Sequence, residues 1–321
     1  MTKKKTPLVD IPEAEMYADY TKMVDDLYVG NNVFMVGPPG TTKTTLAKKL
    51  AYSVRGRRPN DGGEVPFIVV NANQWTSPAE ILGGQTVNGF KEGKLIKAWR
   101  EGLTLIIDES AKLDPNTSGV FNEALAQAAE EVAVIYDPQG IAYPKHAQFS
   151  VIATSNTLGK GNSALFVGNK KQDASFLDRF SGCVYFIGYN ETLEREVIYS
   201  EVVELCLKIR EQILDGDTED PEGLEEREDI MTLRTMLNIQ RAYELEMIRV
   251  LELSEDPWLS RRPDKGKSAS DAFLSYFRTM GDRKRAKEIQ GNVDFAEWQN
   301  SYRSSANLKS FQAEYAKRQA G

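Results

Sequence analysis

The stretch Val33-Phe34-Met35-Val36-Gly37-Pro38-Pro39-Gly40-Thr41-Thr42-Lys43-Thr44-Thr45 decides how this chain is read. Four apolar residues run into a Gly/Pro bend, and Leu46, Leu50 and Val54 then share one helical face. Strand, bend and helix in that order are the setting of a phosphate-binding loop. Backbone N–H groups at a helix start have no intrahelical acceptor, and with the helix dipole they attract phosphate oxygens. In this reading residues 37–45 cradle a nucleoside triphosphate, Lys43 reaches its β- and γ-phosphates, and the Thr44 hydroxyl binds Mg²⁺. One residue departs from the usual pattern, which has Gly before the Lys where this chain has Thr42. A threonine fits there if it already lies inside the helix; otherwise its β-carbon crowds the phosphates. The alternative is a Gly/Pro turn without a ligand.

Four more apolar runs accompany Val33–Val36: residues 67–70, 103–107, 149–153 and 184–187. Each is largely apolar rather than alternating, which predicts strands buried on both faces of a parallel sheet. Helical patterns between them, such as Val120, Ala124, Leu125 and Ala128, give an α/β core with five parallel strands.

The run ending in Ile106-Ile107-Asp108-Glu109 puts two carboxylates at a strand's C-terminal edge, where α/β sheets place ligands. Asp108 is the candidate to hold Mg²⁺, and Glu109 to orient and polarise an attacking water. An ordinary acidic loop is the plain alternative. Ala153-Thr154-Ser155-Asn156 ends the next strand, and Asn156 is placed to contact a γ-phosphate or the water; a turn-forming Asn is its alternative. Ser175-Phe176-Leu177-Asp178-Arg179-Phe180 sets a guanidinium before the last strand, suited to bidentate phosphoryl contact or to a structural ion pair with Asp178. Arg234 begins a later helix.

Beyond Gly188 the texture is helical. Helices are predicted over 191–213 and 230–253, separated by an acidic Gly/Pro-punctuated loop over 215–229. Breaks fall at Asp256-Pro257 and at 261–266, and a helical tail covers about 269–319. A further helix is predicted over 13–29. The resulting division is a tail and helix (1–29), an α/β domain (30–190), a helical lid (191–255) and a helical extension (256–321).

Composition bounds the function. Hydrophobic residues make up 41% and charged residues 27% of 321, as in a globular protein rather than a disordered one. The net charge of −7 argues against a protein designed chiefly to coat nucleic acid. Two cysteines and one histidine provide neither a disulfide framework nor a His/Cys metal centre, which fits a reducing cytoplasm. No run of about 18 apolar residues predicts a membrane span. Lys3-Lys4-Lys5 lacks a following apolar segment and reads as a solvated tail.

Taken together, the order of phosphate loop, Asp-Glu strand, Asn-ended strand, Leu177-Asp178-Arg179-Phe180 and helical lid resembles the AAA+ ATPases. More narrowly, Leu82-Gly83-Gly84 with Gly89-Phe90-Lys91-Glu92-Gly93-Lys94-Leu95, and the run from Ile135 to Phe149, resemble the extra insert and hairpin of the MoxR branch. Ala153 to Gly161 through Phe180 is similar to the CobS family, the ATPase subunits of aerobic cobaltochelatase. The resemblance implies ATP and Mg²⁺ as ligands, Asn156 as sensor 1, Arg179 as an arginine finger acting on a neighbouring subunit and Arg234 as sensor 2. It also implies a homo-oligomeric, usually hexameric ring that remodels a protein partner, with a von Willebrand factor A domain protein of the CobT type as a candidate. Phe90 and Tyr136 mark the segments expected to touch a client or, alternatively, to be core. A DNA-directed motor or loader, contacting DNA through Arg283-Lys284-Arg285 and Lys287, and a nucleotide-binding scaffold without turnover are the other readings.

Overall fold

The computed structural model describes residues 17–159, 168–214, 229–253 and 266–320. The basic N-terminal run, most of the acidic 215–229 stretch, Asp256-Pro257 and Arg261–Lys265 lie outside the described residues. Described residues up to Gly188 form one compact unit, and those from Tyr189 onward a second.

The first unit opens with α1 (Tyr20–Val29), which buries Tyr20, Met23, Val24 and Leu27. It ends at Gly30, whose φ of 99° turns the chain as only glycine does without strain. The strands β1 (Val33–Val36), β2 (Phe67–Asn71), β5 (Thr104–Asp108), β8 (Ser150–Ser155) and β9 (Val184–Phe186) then build one sheet in the order β2-β5-β8-β1-β9. Every pair is parallel. Between them run α2 (Lys43–Ser53), α3 (Pro78–Leu82), the hairpin β3 (Gly83–Thr86) and β4 (Gly89–Glu92), and α4 (Lys94–Glu101). Then come α5 (Pro115–Ser118), α6 (Asn122–Ala126), the hairpin β6 (Val134–Tyr136) and β7 (Ala142–Pro144), and α7 (Ala174–Asp178). Parallel neighbours need such crossover connections.

The sequence treats all five strands as buried on both faces. That holds for the three central ones, β5, β8 and β1, whose residues are buried almost without exception. β2 and β9 stand at the edges, each with one neighbour, and are largely half-exposed. Beneath the sheet, Trp99, Phe121, Phe149, Phe176 and Phe180 fill one continuous core with Phe34 and the central strand residues.

The second unit is all helical: α8 (Glu191–Val197), α9 (Ser200–Leu214), α10 (Leu233–Val250), α11 (Ala269–Thr279), α12 (Arg283–Asn292), α13 (Phe295–Ser301) and α14 (Ser305–Ala320). The single helix predicted over 191–213 is two, because Ile198 takes extended backbone (φ −98°, ψ 143°) and is buried with Tyr199 at the break. Across that break, Glu194 accepts two hydrogen bonds of 2.7 Å from Arg210, which also donates to the Met231 carbonyl. Helices on both sides of the predicted 255/256 boundary share one core, with Tyr199, Tyr243 and Phe311 in mutual ring contact.

Candidate nucleotide-binding site

The bend after β1 leaves the sheet between β8 and β9, where the strand order reverses relative to the chain. That switch point is where open α/β sheets bind ligands. The Gly37 N–H donates to the Ser155 carbonyl at 3.2 Å, and the Ile187 N–H donates to Val36 O at 2.7 Å. These bonds bring the backbone of Ile187 so close that a β-carbon on Gly37 would lie 2.0 Å from its oxygen. Glycine is therefore required at 37 by space.

At Thr42 the structure decides between the two alternatives the sequence leaves open. The residue is not inside the helix: it caps α2 from outside, with φ 64° and ψ 15°. Left-handed backbone costs an L-residue with a β-carbon about 1–2 kcal/mol, which explains why glycine is usual there. The helix itself begins at Lys43, earlier than the predicted start near Thr45. Tyr17 and Thr42 share a hydrogen bond of 2.6 Å between their hydroxyls. Thr41 Oγ1 donates to Pro38 O at 2.9 Å and tightens the bend.

Lys43 is buried. Its Nζ donates to the carbonyls of Gly37 and Pro38, each at 2.8 Å. Burial pulls its pKa down from 10.5 to about 8, against the opposing pull of Asp108 and Glu109. The ammonium thus sits in its own loop, beside two carboxylates.

Asp108 ends β5, and Thr44 Oγ1 donates to its Oδ1 at 2.8 Å. Two hard oxygens side by side at a helix start suit Mg²⁺, which takes one or two protein oxygens beside substrate phosphates. Among the described residues no group of three or more His, Cys, Asp or Glu side chains gathers that would hold a metal by itself. Glu109 follows with φ 57° and ψ 41°, a second left-handed residue, and pairs with Lys112.

Thr154, which belongs to no motif of its own, connects the two acids. Its Oγ1 donates to Asp108 Oδ1 at 2.6 Å and accepts from the Glu109 N–H at 3.1 Å. The β5–β8 register, with Ile107 opposite Ala153, sets Thr154 beside Asp108. A hydroxyl one residue past an apolar run on the neighbouring strand was the available signal.

Asn156 is half-buried and follows β8 directly, and Ser155 pairs in register with Val36 where the bend starts. The sheet therefore sets Asn156 one residue beyond the pairing that meets the Gly37 bend, across a long stretch of chain. Arg179 caps α7 and is exposed, and among the described residues no ion pair joins it to Asp178. Its backbone is anchored: buried Asn32 donates to the carbonyls of Leu125 (2.9 Å) and Arg179 (3.0 Å). Arg234 belongs to the second unit, exposed in the first turn of α10.

Residues 32–180 match the family model described as AAA domain (dynein-related subfamily). The chain is similar to the ATP-dependent DNA helicase PIF6 of Trypanosoma brucei brucei, 34% identical over 112 residues, which are 29% of this chain and 13% of the helicase. It is also similar to an uncharacterized protein of Staphylococcus haemolyticus, 24% identical over 238 residues, covering 70% of this chain and 86% of that one. Among solved structures, NtrX from Brucella abortus in complex with ATP superposes with a TM-score of 0.46 and 16% identity, covering 97% of this chain and 67% of NtrX. The family match runs from the asparagine that anchors Arg179 to the phenylalanine that follows it, so Lys43, Thr44, Asp108, Glu109, Asn156 and Arg179 lie inside the matched segment and Arg234 outside it, and the α/β unit of this chain is built on a five-stranded parallel sheet.

Proposed function

We propose that this chain is a Mg²⁺-dependent ATPase that works as a ring of identical subunits, hexameric by resemblance, and remodels a protein partner. The observation that carries the reading is the direct contact of Thr44 with Asp108 at the start of α2, with Glu109 next in sequence and Lys43 beside both.

Residues 37–45 would present backbone N–H groups to the phosphates, and Lys43 would turn from its own carbonyls to the β- and γ-phosphates. Thr44 and Asp108 would hold Mg²⁺, which when bound neutralises charge on the phosphate oxygens. Glu109, freed from Lys112, orients and polarises the attacking water, and Asn156 contacts the water or the γ-phosphate. Arg179, exposed on a short helix, suits action on the nucleotide of a neighbouring subunit; such fingers give about 10³–10⁵-fold in rate in related systems. Arg234 would report the nucleotide to the helical unit.

Specialisation toward the MoxR branch rests on the inserted hairpins, and likeness to the CobS family on Ala153 to Gly161 through Phe180. Gln139 donates to Gln85 at 3.1 Å and ties the two hairpins together. Val87, Tyr136 and Ile141 are exposed on them, whereas Phe90 is half-buried. This apolar surface is the proposed contact for a protein client, a von Willebrand factor A domain protein among the candidates, in the cytoplasm. Among the described residues no helix is long and apolar enough to cross a membrane.

The test is ATP turnover at high protein concentration. Lys43→Ala abolishes nucleotide binding, Glu109→Gln retains ATP without turnover, and Arg179→Ala binds ATP but does not turn it over. Full turnover by the Arg179 variant contradicts the finger; zero turnover by the native chain favours the scaffold reading. A DNA-directed motor is the second reading, supported by exposed Arg283, Lys284 and Lys287 on α12. Duplex binding that weakens steeply with salt would favour it.

A further inference from the structure

We propose that Tyr17 is a positioning residue for the phosphate loop: its hydroxyl holds Thr42 in the left-handed conformation that the loop requires. The proposal rests on the reading of residues 37–45 as a nucleotide site and deepens it.

The loop geometry leaves position 42 a positive φ, and this chain fills it with a β-branched residue, for which such backbone is a genuine outlier. A strained residue persists only where its surroundings over-determine it. Here the Thr42 carbonyl already accepts from the Leu46 N–H at 2.9 Å, as the first bond of α2. Its side chain is held by Tyr17 at 2.6 Å. Tyr17 is itself fixed: only 9% exposed, it accepts at its carbonyl from the Tyr20 N–H at 2.9 Å. One helical turn on, the hydroxyls of Tyr20 and Ser53 lie 2.7 Å apart at the far end of α2. Two tyrosines flanking the start of α1 thus touch both ends of the helix that opens the phosphate site. If Thr42 relaxed to right-handed or extended backbone, the Lys43 and Thr44 N–H groups would turn away from a bound phosphate. A glycine at 42 would need no such support.

The test is a set of variants read by titration with a fluorescent ATP analogue and Mg²⁺, and by thermal unfolding without nucleotide. Tyr17→Phe should weaken affinity about tenfold, which is about 1.4 kcal/mol, and raise KM more than it lowers kcat. In a Thr42→Gly background the same change should act less than about twofold. Thr42→Val, which keeps the β-branch and loses the hydroxyl, should weaken affinity as Tyr17→Phe does, and adding Tyr17→Phe to it should change little. The melting temperature should show the same coupling. Equal effects of Tyr17→Phe in all three backgrounds, or none in any, overturn the proposal. If the native chain and Lys43→Ala bind the analogue equally poorly, the nucleotide reading fails by itself. The unfolding data then decide the clasp: coupling upholds it and additivity overturns it.

Discussion

Thr154→Val replaces one hydroxyl by a methyl group of nearly the same size and removes both bonds that join the two acids. The Thr154 bond to the Asp108 carboxylate is short, at 2.6 Å, and a hydrogen bond to a charged group contributes about 1.5–3 kcal/mol. The bond from the Glu109 N–H, at 3.1 Å, adds about 0.5–1.5 kcal/mol. Asp108 is half-buried and Glu109 exposed, so water replaces part of what is lost. The expected loss is therefore in the lower half of the sum, about 2–3 kcal/mol. For a unit of this size that is about 5–10 °C in melting temperature. Thr154→Ser keeps the hydroxyl and should cost only its buried methyl, about 1 kcal/mol. Urea unfolding of the three proteins measures the difference, and native-state hydrogen exchange at the β5 and β8 amides assigns it to the α/β unit. Glu109 holds φ 57° next to this bond, so turnover should fall more than ATP affinity in the valine variant. A valine variant as stable as the serine variant, with unchanged turnover, refutes the argument that Thr154 clamps the acids.

Gly37→Ala forces a β-carbon to 2.0 Å from a backbone oxygen and should cost about 3 kcal/mol or more in urea unfolding; a loss below about 1 kcal/mol would mean the loop lies farther from Ile187. Glu194→Ala strands the buried Arg210 guanidinium and should destabilise the helical unit by about 3–5 kcal/mol, with Arg210→Met added to it recovering most of the loss; no recovery would show that the pair acts through something besides charge burial. Burial, reinforced by Asp26, pushes the Cys183 thiol up to about 11, and burial pushes Cys206 up as well. Both therefore stay protonated at pH 8, and a thiol reagent should label neither until urea is added; fast labelling of either in the native protein would place it at the surface.

The α/β core was legible because its signals are local. Each central strand is a short apolar run, and the carboxylates of Asp108 and Glu109 follow one of them directly. Apolar content does not say how many neighbours a strand has, so the edge positions of β2 and β9, with one neighbour each, are not legible in it. The break at Ile198 is not legible in the sequence, because its apolar spacing continues the helical pattern while its backbone does not. Tyr17 and Asn32 carried no motif at all. Their roles come from partners far along the chain, Thr42 for one and the Arg179 carbonyl for the other.

By itself, then, the sequence determined the Gly/Pro bend between strand and helix, the acids at a strand end and the helical second half. These follow from side-chain chemistry and periodicity within a few residues. The tertiary structure alone decided that β1 lies between β8 and β9, which seats Ser155 against Gly37 and forces glycine there through Ile187. It alone decided that Thr42 is left-handed and that Thr154 touches both acids. Strand order and register are set by which apolar faces bury one another, and that is a property of the whole sheet rather than of any segment of it.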